Sequence, residues 1–218
     1  MRALVIGPSL CYITNMSRET ILAKVKQATQ GIADKAEYPS YDVSDLHSAR
    51  RLEGTDLWEI FSLNFRAVNG KTMRSLAELV TFLQSTQQTC GYCDPVLWDT
   101  VGKELTEAGL TVETVYDRDQ YDRYQFGITR ATGAIAESGS LILDDEHTSD
   151  RLAALSPWTH VAVLIETSIH RTIPEAIVAL GDVPNIIWAT GPSKTADVEG
   201  ILIEGVHGPG EQIALCLA

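Results

Sequence analysis

The sequence predicts an α/β protein with a layered, largely parallel sheet and a helical segment at its N-terminal end. Three observations support this fold class. From residue 88 onward, short apolar runs alternate with stretches of helical periodicity, which is typical of strands and helices in an α/β domain. Residues 159–165 are almost all apolar, as expected of a strand that is covered on both faces. Between residues 16 and 87, apolar residues instead recur at helical spacing.

The composition narrows the possible partners and cellular location. The 218 residues are enough for one sizeable hydrophobic core. The formal net charge of -12 argues against nucleic acid or an anionic membrane as the main partner, although a local basic group can still bind a small anion. No run of eighteen apolar residues is present, so no membrane span is predicted. Without a secretory signal, the protein is expected to be cytoplasmic with reduced cysteines.

The segment before residue 88 is predicted to be mainly helical and to pack on the main domain. Residues 1–15 are interpreted as an N-terminal extension, because Met16 and Ser17 resemble the true start of the chain. Ser17 and Asp56 are suitable N-caps, and Asn69 followed by Gly70 is a typical helix end. Helices are predicted over residues 17–30, 57–68 and 72–85, with a long loop over 32–55.

Residues 88–218 are predicted to form the main domain. Asp94 with Pro95, and Thr172 with Pro174, are typical of helix starts. Helices are predicted over 94–109 and 172–181, strands over 88–92, 110–116, 159–165, 185–190, 201–204 and 212–217, and further apolar runs at 126–129 and 133–143. Residues 117–122 are predicted to be a charged loop. The strand 185–190 is expected to be buried, and the last two strands are expected to close the sheet.

Two glycine-rich loops near the C-terminal end are the main candidates for a ligand-binding site. The first covers residues 191–200 and the second covers 205–210. Glycines let the backbone approach a ligand closely, and successive free N–H groups form a concavity that binds anions. Ligand sites of parallel sheets lie at the carboxyl ends of the strands, and the loop at Gly191 is expected at such an end, as is Glu137. Alternatively, the glycines and prolines only shape turns.

These loops contain a set of candidate ligand-binding and catalytic groups. The backbone of Gly191, the hydroxyls of Ser193 and Thr195, and the ammonium of Lys194 are candidates for binding an anion. Asp197 and His207 are candidate catalytic groups in the same two loops. The imidazole of His207 would donate to an oxyanion or transfer a proton, and a purely structural histidine is the alternative.

Other candidates lie upstream of the two loops. Glu137 stands between apolar residues, where desolvation would raise the pKa of its carboxyl and allow it to act as a base or nucleophile; the alternative is an exposed turn residue. Gly139 and Ser140 follow it and would cradle an anion. Arg151 would bind a carboxylate through two hydrogen bonds, or would pair with its acidic neighbours.

The cysteines do not indicate a metal site. Cys90 and Cys93 form a single C-x-x-C motif, whereas a zinc site needs a second half and an iron–sulfur cluster needs about four thiolates. A redox-active dithiol is the alternative to two unreactive thiols. We therefore expect no cofactor in this chain.

Five segments together resemble the LUD-domain family, and within it the lactate utilization protein C family. They are residues 126–129, 134–140, Arg151 with 155–157, 191–200 and 205–209. The resemblance is clear over about 120–218 and diffuse before that. It implies a fold similar to the sugar-isomerase and CoA-transferase superfamily. It also implies a role in a bacterial three-protein system that oxidises L-lactate to pyruvate, in which the other two proteins carry iron–sulfur-type motifs.

Two hypotheses follow from this resemblance. In the first, the chain is the non-redox subunit of the lactate system, with iron–sulfur subunits as partners, and its two loops bind a partner or a small anion such as a lactate-like carboxylate or a phosphate. In the second, the chain is a stand-alone enzyme similar to CoA transferases, with Glu137 as nucleophile. A sugar-phosphate isomerase is a further alternative that rests on fold analogy. The resemblance itself assigns no catalytic residue.

Overall fold

The computed structural model describes residues 17–31, 52–148, 150–196 and 202–217. The chain divides into two compact units, Met1–Leu46 and His47–Ala218. The predicted extension over residues 1–15 and residues 32–51 of the predicted loop lie outside the described residues.

The first unit contains the helix α1 (Arg18–Thr29). Ser17 is its N-cap, because the side-chain oxygen accepts a hydrogen bond from the backbone N–H of Thr20 at 3.3 Å. At the other end the N–H of Gln30 donates to the carbonyl of Lys26. The helix predicted over residues 17–30 is therefore confirmed. Its apolar face, which includes Ile21 and Val25, is exposed.

The second unit is built on a six-stranded sheet. Its strands are β1 (Lys71–Met73), β2 (Cys90–Cys93), β3 (Thr111–Glu113), β4 (Phe126–Arg130), β7 (Thr159–Leu164) and β12 (Glu211–Cys216). They follow the order β1-β12-β7-β4-β2-β3, and every neighbouring pair is parallel. The predicted α/β fold class with a largely parallel sheet is confirmed.

Both faces of this sheet are covered by apolar side chains. On β7, Val161 and Val163 pack into a core on one face together with Phe126, whereas Ala162 and Leu164 pack into a core on the other face. Successive residues of a strand point to opposite faces, so a strand covered on both sides needs a continuous apolar run. The structure thus confirms the prediction made for residues 159–165.

A smaller sheet packs beside the first one. Its strands are β5 (Gly133–Ile135), β6 (Ser140–Asp144), β8 (Ile169–His170) and β9 (Ile186–Ala189), in the order β8-β5-β6-β9. β9 runs antiparallel to β6 and is only partly buried, with Trp188 37% exposed. The strand predicted over residues 185–190 is therefore confirmed, but the prediction that it is buried is wrong.

The last strands also differ from the prediction. β10 (Lys194–Ala196) and β11 (Leu202–Glu204) form an antiparallel pair of their own, so residues 201–204 do not close the sheet. β12 lies inside the parallel sheet, between β1 and β7, rather than at its edge. The apolar pattern identified β11 and β12 as strands but contains no information about their pairing partners, whereas β10 lies in a stretch that was predicted to be a loop.

The helices of the second unit mostly begin at polar N-caps. They are α2 (Leu57–Ala67), α3 (Leu76–Ser85), α4 (Lys103–Glu107), α5 (Arg151–Leu155) and α6 (Ile173–Leu180). α2 and α6 match the predictions. The predicted helix over 72–85 begins later, because residues 71–73 form β1 and Ser75 is the N-cap of α3. Irregular helical turns precede α4, and residues 118–123 form short helical turns where a loop was predicted.

The prediction that Asp56 is the N-cap of α2 can be tested by mutation. The Asp56 carboxylate accepts hydrogen bonds from the backbone N–H groups of Trp58 at 2.8 Å and Glu59 at 3.1 Å. Replacing Asp56 by alanine should lower the free energy of unfolding by about 1 kcal/mol, because these two N–H groups lose their acceptor. Urea denaturation would measure the change. Asp56→Asn is the control and should stay within a few tenths of a kcal/mol of the wild type; an equal loss in both variants would contradict the capping role.

Within the described residues, no helix is long and apolar enough to cross a membrane.

Candidate functional site

The two glycine-rich loops of the sequence analysis contact each other in the structure. The backbone N–H of Ser193 donates to the carbonyl of Pro209 at 2.9 Å, and the N–H of Gly205 donates to the carbonyl of Ser193 at 2.9 Å. Gly191 has φ +77, and a Cβ atom there would lie 2.4 Å from the carbonyl oxygen of Val68 at the end of α2. Only glycine satisfies this backbone angle and this close approach without strain.

Together the loops close one side of a cavity of about 360 Å³, which we call the loop cavity. Its polar lining consists of Thr190, Ser193, His160, His207 and Gln212. The apolar lining comes from β6, α5 and β9 and from the prolines of the two loops: Leu143, Ala154, Leu155, Ile187, Trp188, Ala189, Pro192 and Pro209. A volume of this size with mixed lining is typical of small-molecule sites, which measure about 300–1,000 Å³.

The position of the loop cavity corrects one expectation. The loop at Gly191 follows β9 of the smaller sheet, and Glu137 follows β5 of the same sheet. His160 and Gln212 are the second residues of β7 and β12, so the cavity faces the amino-terminal ends of these parallel strands. Both segments therefore follow the carboxyl ends of strands, as expected, but these strands belong to the smaller sheet, and the loop cavity lies at the opposite ends of the parallel strands β7 and β12.

His160 forms a buried polar chain beneath the loop cavity. Its Nδ1 lies 2.7 Å from the Gln212 side-chain nitrogen and its Nε2 lies 2.9 Å from the Thr129 hydroxyl. All three side chains are buried, and burial lowers the pKa of His160 to about 4. At neutral pH the imidazole is therefore uncharged: Nδ1 accepts from the Gln212 amide, and Nε2–H donates to Thr129.

Lys194 lies on β10 and does not line the loop cavity. Its ammonium donates to the carbonyl of Val68 at 3.0 Å and lies 3.5 Å from a carboxylate oxygen of Glu204. A hydrogen bond from the Asn69 side chain, and then the charge of Lys194, lower the pKa of Glu204. Thr195 is the next residue of β10. Asp197 lies outside the described residues. The ligand-binding and catalytic roles proposed for these residues stay predictions.

Glu137 is buried at the N-terminal end of α6. One of its carboxylate oxygens accepts a hydrogen bond from the backbone N–H of Ile173 at 3.3 Å, and its own N–H donates to the carbonyl of Arg171. The side chain is 9% exposed and does not line the loop cavity. A carboxylate here complements the positive end of the helix. Its proposed role as a base or nucleophile stays a prediction.

Gly139 packs against α2, and Ser140 is hydrogen-bonded to Thr190, which follows β9. Gly139 has φ +63 and lies directly against the backbone of Phe65. The Ser140 hydroxyl lies 2.7 Å from that of Ser138 and 2.6 Å from that of Thr190, which lines the loop cavity. Ser140 therefore reaches the cavity only through Thr190.

A family model gives the first external comparison. The model described as LUD domain matches residues 100–216. The chain belongs to the LUD domain family. The matched region contains every residue that lines the loop cavity, and the resemblance noted from the sequence is confirmed.

Curated relatives of this LUD domain carry the name lactate utilization protein C. The protein from Deinococcus radiodurans is 33% identical over 120 residues, which are 53% of this chain and 55% of that protein. The protein from Bacillus subtilis is 37% identical over 91 residues, 38% of each chain. The chain spans about half the length of the curated relatives it matches.

The fold of the LUD domain also has a solved counterpart. A crystal structure of a DUF162 family protein from Deinococcus radiodurans aligns with a TM-score of 0.51 and 21% sequence identity. The alignment covers 74% of this chain and 94% of that one. This likeness supports the fold.

Arg151 of the LUD domain lies at the first position of α5 and outside the loop cavity. Its guanidinium forms an ion pair with Asp145, and both side chains are partly exposed. Asp150 caps the same helix by accepting from the N–H of Leu152 at 2.8 Å. The alternative in which Arg151 pairs with its acidic neighbours matches this contact, and its role toward a ligand stays a prediction.

The cysteine pair lies on β2. Cys90 and Cys93 are three residues apart on one strand, so their side chains point to opposite faces of the sheet and do not form a disulfide with each other. Burial raises the pKa of the Cys93 thiol to about 12, which makes it a poor nucleophile. The alternative of unreactive thiols is therefore the better interpretation.

Three residues of the buried polar chain were not predicted from the sequence to belong to the site: His160, Gln212 and Thr129. The polar residues His160 and Gln212 interrupt the apolar patterns of β7 and β12, and buried polar side chains are hydrogen-bonded in folded proteins. Each interruption is at the second position of its strand. This shared position predicts a contact between His160 and Gln212, but only if β7 and β12 are already known to be neighbours.

Proposed function

We propose that this LUD domain serves in lactate utilization and binds a small carboxylate, such as lactate or pyruvate, in the loop cavity. The observation that carries the proposal is the pairing of the two glycine-rich loops over a cavity lined by Ser193, His207, His160 and Gln212. The names of the curated relatives give the substrate class.

The lining of the loop cavity suits a ligand of this chemistry. A lactate-like molecule has a carboxylate, one hydroxyl or carbonyl group, and a methyl group. The Ser193 hydroxyl and the His207 imidazole are donors for the carboxylate. Leu155, Ile187 and Ala189 offer an apolar surface for the methyl group.

His160 has a positioning role in this proposal. Because its imidazole is uncharged at neutral pH, it supplies no counter-charge to a carboxylate. Its hydrogen bonds to Thr129 and Gln212 instead hold the Gln212 amide at the cavity wall. A hydrogen-bonded chain of this kind fixes the orientation of the group that contacts the ligand.

In this proposal the chain is the non-redox component of a lactate utilization system. Oxidation of lactate to pyruvate removes two electrons, and we assign their transfer to partner proteins that carry iron–sulfur clusters. The family resemblance supports these partners. Binding of the carboxylate by this chain alone, without turnover, is the corresponding expectation.

Titration calorimetry of the purified chain tests the carboxylate site. L-lactate and pyruvate should give saturable binding, and inorganic phosphate should bind more weakly. His207→Gln and Ser193→Ala should each weaken binding of the preferred carboxylate about tenfold, since a hydrogen bond to a charged group contributes about 1.5 kcal/mol or more.

His147→Gln is the matched control, because His147 is also exposed but lies outside the loop cavity. Its affinity should equal that of the wild type. Equal affinities in all variants would move the ligand to another place on the chain. Binding of phosphate in preference to both carboxylates would overturn the assignment of the substrate class.

A further inference from the structure

A second cavity lies at the amino-terminal ends of β2, β4, β7 and β12. It measures about 540 Å³ and we call it the aromatic cavity, because Trp158 and Tyr121 line it and are 53% and 56% exposed. Gly208 lines both this cavity and the loop cavity, so the turn that carries Gly208 lies between the two. Neither the family match nor the proposed carboxylate site assigns a role to these aromatic side chains.

Trp158 is held in place by glycines. A Cβ atom added to Gly205 or Gly210 would lie 2.5 or 2.3 Å from the Trp158 ring, so the ring packs directly on the backbone of both residues. The backbone of Trp158 is fixed as well, because its carbonyl accepts a hydrogen bond from the N–H of Glu211 at 3.0 Å. The exposed part of the indole is therefore a fixed aromatic surface at the cavity wall.

The charges around this surface are negative. Among the described residues that line the aromatic cavity, Asp122 and Glu211 carry carboxylates and none is lysine, arginine or histidine. Glu211 forms an ion pair with Lys71, whose ammonium is not part of the lining. A cation above an indole ring is attracted by the ring quadrupole, and nearby carboxylates add to that attraction.

Gln88 has a buried side-chain oxygen that accepts no hydrogen bond. Its side chain is 5% exposed and lines the aromatic cavity. The amide nitrogen donates to the Thr159 hydroxyl at 2.8 Å, whereas the amide oxygen has no hydrogen-bond partner. A buried acceptor without a partner is costly, and because this oxygen is inaccessible here, a donor in the cavity reaches it only when the Gln88 side chain rotates toward the cavity.

From these observations we propose that the aromatic cavity binds a small organic cation that has a flat ring and at least one N–H group. The ring stacks on Trp158, the positive charge lies near the Asp122 carboxylate, and the N–H donates to the Gln88 amide oxygen after that side chain rotates toward the cavity. The proposal is independent of carboxylate binding in the loop cavity, because the two cavities have different linings apart from Gly208.

Titration calorimetry with four small probes tests this site in the purified chain. Benzylammonium carries the ring, the charge and N–H groups, and it should bind about tenfold more tightly than neutral benzyl alcohol. Benzoate should not bind in the aromatic cavity, because its charge is repelled. Benzyltrimethylammonium keeps the charge but lacks N–H groups, and it should bind several-fold more weakly than benzylammonium.

Two variants and one control locate the probe. Trp158→Ala should weaken benzylammonium binding at least about tenfold, and Asp122→Asn about threefold to fivefold. Trp188→Phe changes the partly exposed tryptophan of the loop cavity and should leave the affinity unchanged.

Equal binding of benzylammonium and benzyl alcohol to the wild type would overturn the recognition of charge. Unchanged affinity in Trp158→Ala would overturn the location. If Trp158→Ala does not fold, Asp122→Asn decides the location instead: a loss of affinity supports the aromatic cavity, and an unchanged affinity overturns it.

Discussion

Replacing Gly139 by alanine is expected to lower the free energy of unfolding by about 3–4 kcal/mol. Gly139 has φ +63, where a side chain other than glycine costs about 1–2 kcal/mol. A Cβ atom there would also lie 2.4 Å from the backbone nitrogen of Phe65 and 2.6 Å from the carbonyl carbon of Asn64. Because these are backbone atoms of α2, relief requires the helix to move away from the smaller sheet, and such overpacking typically costs about 1–3 kcal/mol.

Gly109→Ala is the matched control for this prediction. Gly109 has φ +90, but nothing lies within 4 Å of the position that its Cβ would occupy. The free energy of unfolding of this variant should fall by only about 1 kcal/mol, which is the cost of the positive φ angle for alanine. Urea denaturation of both variants separates the two contributions, and an equal loss in both would show that the contact between Gly139 and α2 is looser than the structure indicates.

Helix starts were predictable because their chemistry is local. Ser17, Asp56 and Thr172 each accept a hydrogen bond from an N–H two or three residues further along the chain, so the signal and its effect lie in the same stretch of sequence. The start of α3 was predicted too early because residues 71–73 form a strand only through their pairing with β12, in which Lys71 lies opposite Ile213, far along the chain.

Strand pairing could not be predicted in the same way. Residues 185–190 have the apolar character of a strand, but β9 pairs with β6, with Leu141 opposite Ala189. The apolar pattern indicates a strand, but for β9 it determined neither the neighbouring strand nor the degree of burial. For this reason the family resemblance and the alternation of elements gave the correct fold class, whereas the sheet that contains the strands before Glu137 and Gly191 could not be predicted.

The candidate site was predictable to the extent that its residues are close in sequence. The loops around Ser193 and His207 attracted attention because glycines, prolines and polar groups occur together within each of them. His160 is different, because its partners Thr129 and Gln212 are brought to it by the register of three parallel strands. Histidine in an apolar run signals a buried polar group, but its partners are visible only in the folded structure.

The buried His160 is expected to make this chain sensitive to acid. Its pKa is lowered from 6.5 to about 4 in the folded protein, chiefly because burial disfavours the charged imidazolium. The unfolded chain therefore binds a proton at higher pH than the folded one does. The free energy of unfolding is therefore not reduced by His160 above pH 6.5. It falls as the pH is lowered from 6.5 through 4, and at pH 4 the reduction is about 3 kcal/mol.

His160→Gln is the variant that isolates this effect, because it keeps polar atoms near Thr129 and Gln212 and removes the titrating group. Urea denaturation between pH 7.5 and pH 4 should show that the wild type loses about 3 kcal/mol more than the variant does, whatever their difference at pH 7.5. Carboxylates titrate in both proteins, so their contribution cancels in this comparison. If wild type and His160→Gln lose stability in parallel, the imidazole is protonated or hydrated in the folded protein, and the uncharged hydrogen-bonded chain beneath the loop cavity does not exist in the proposed form.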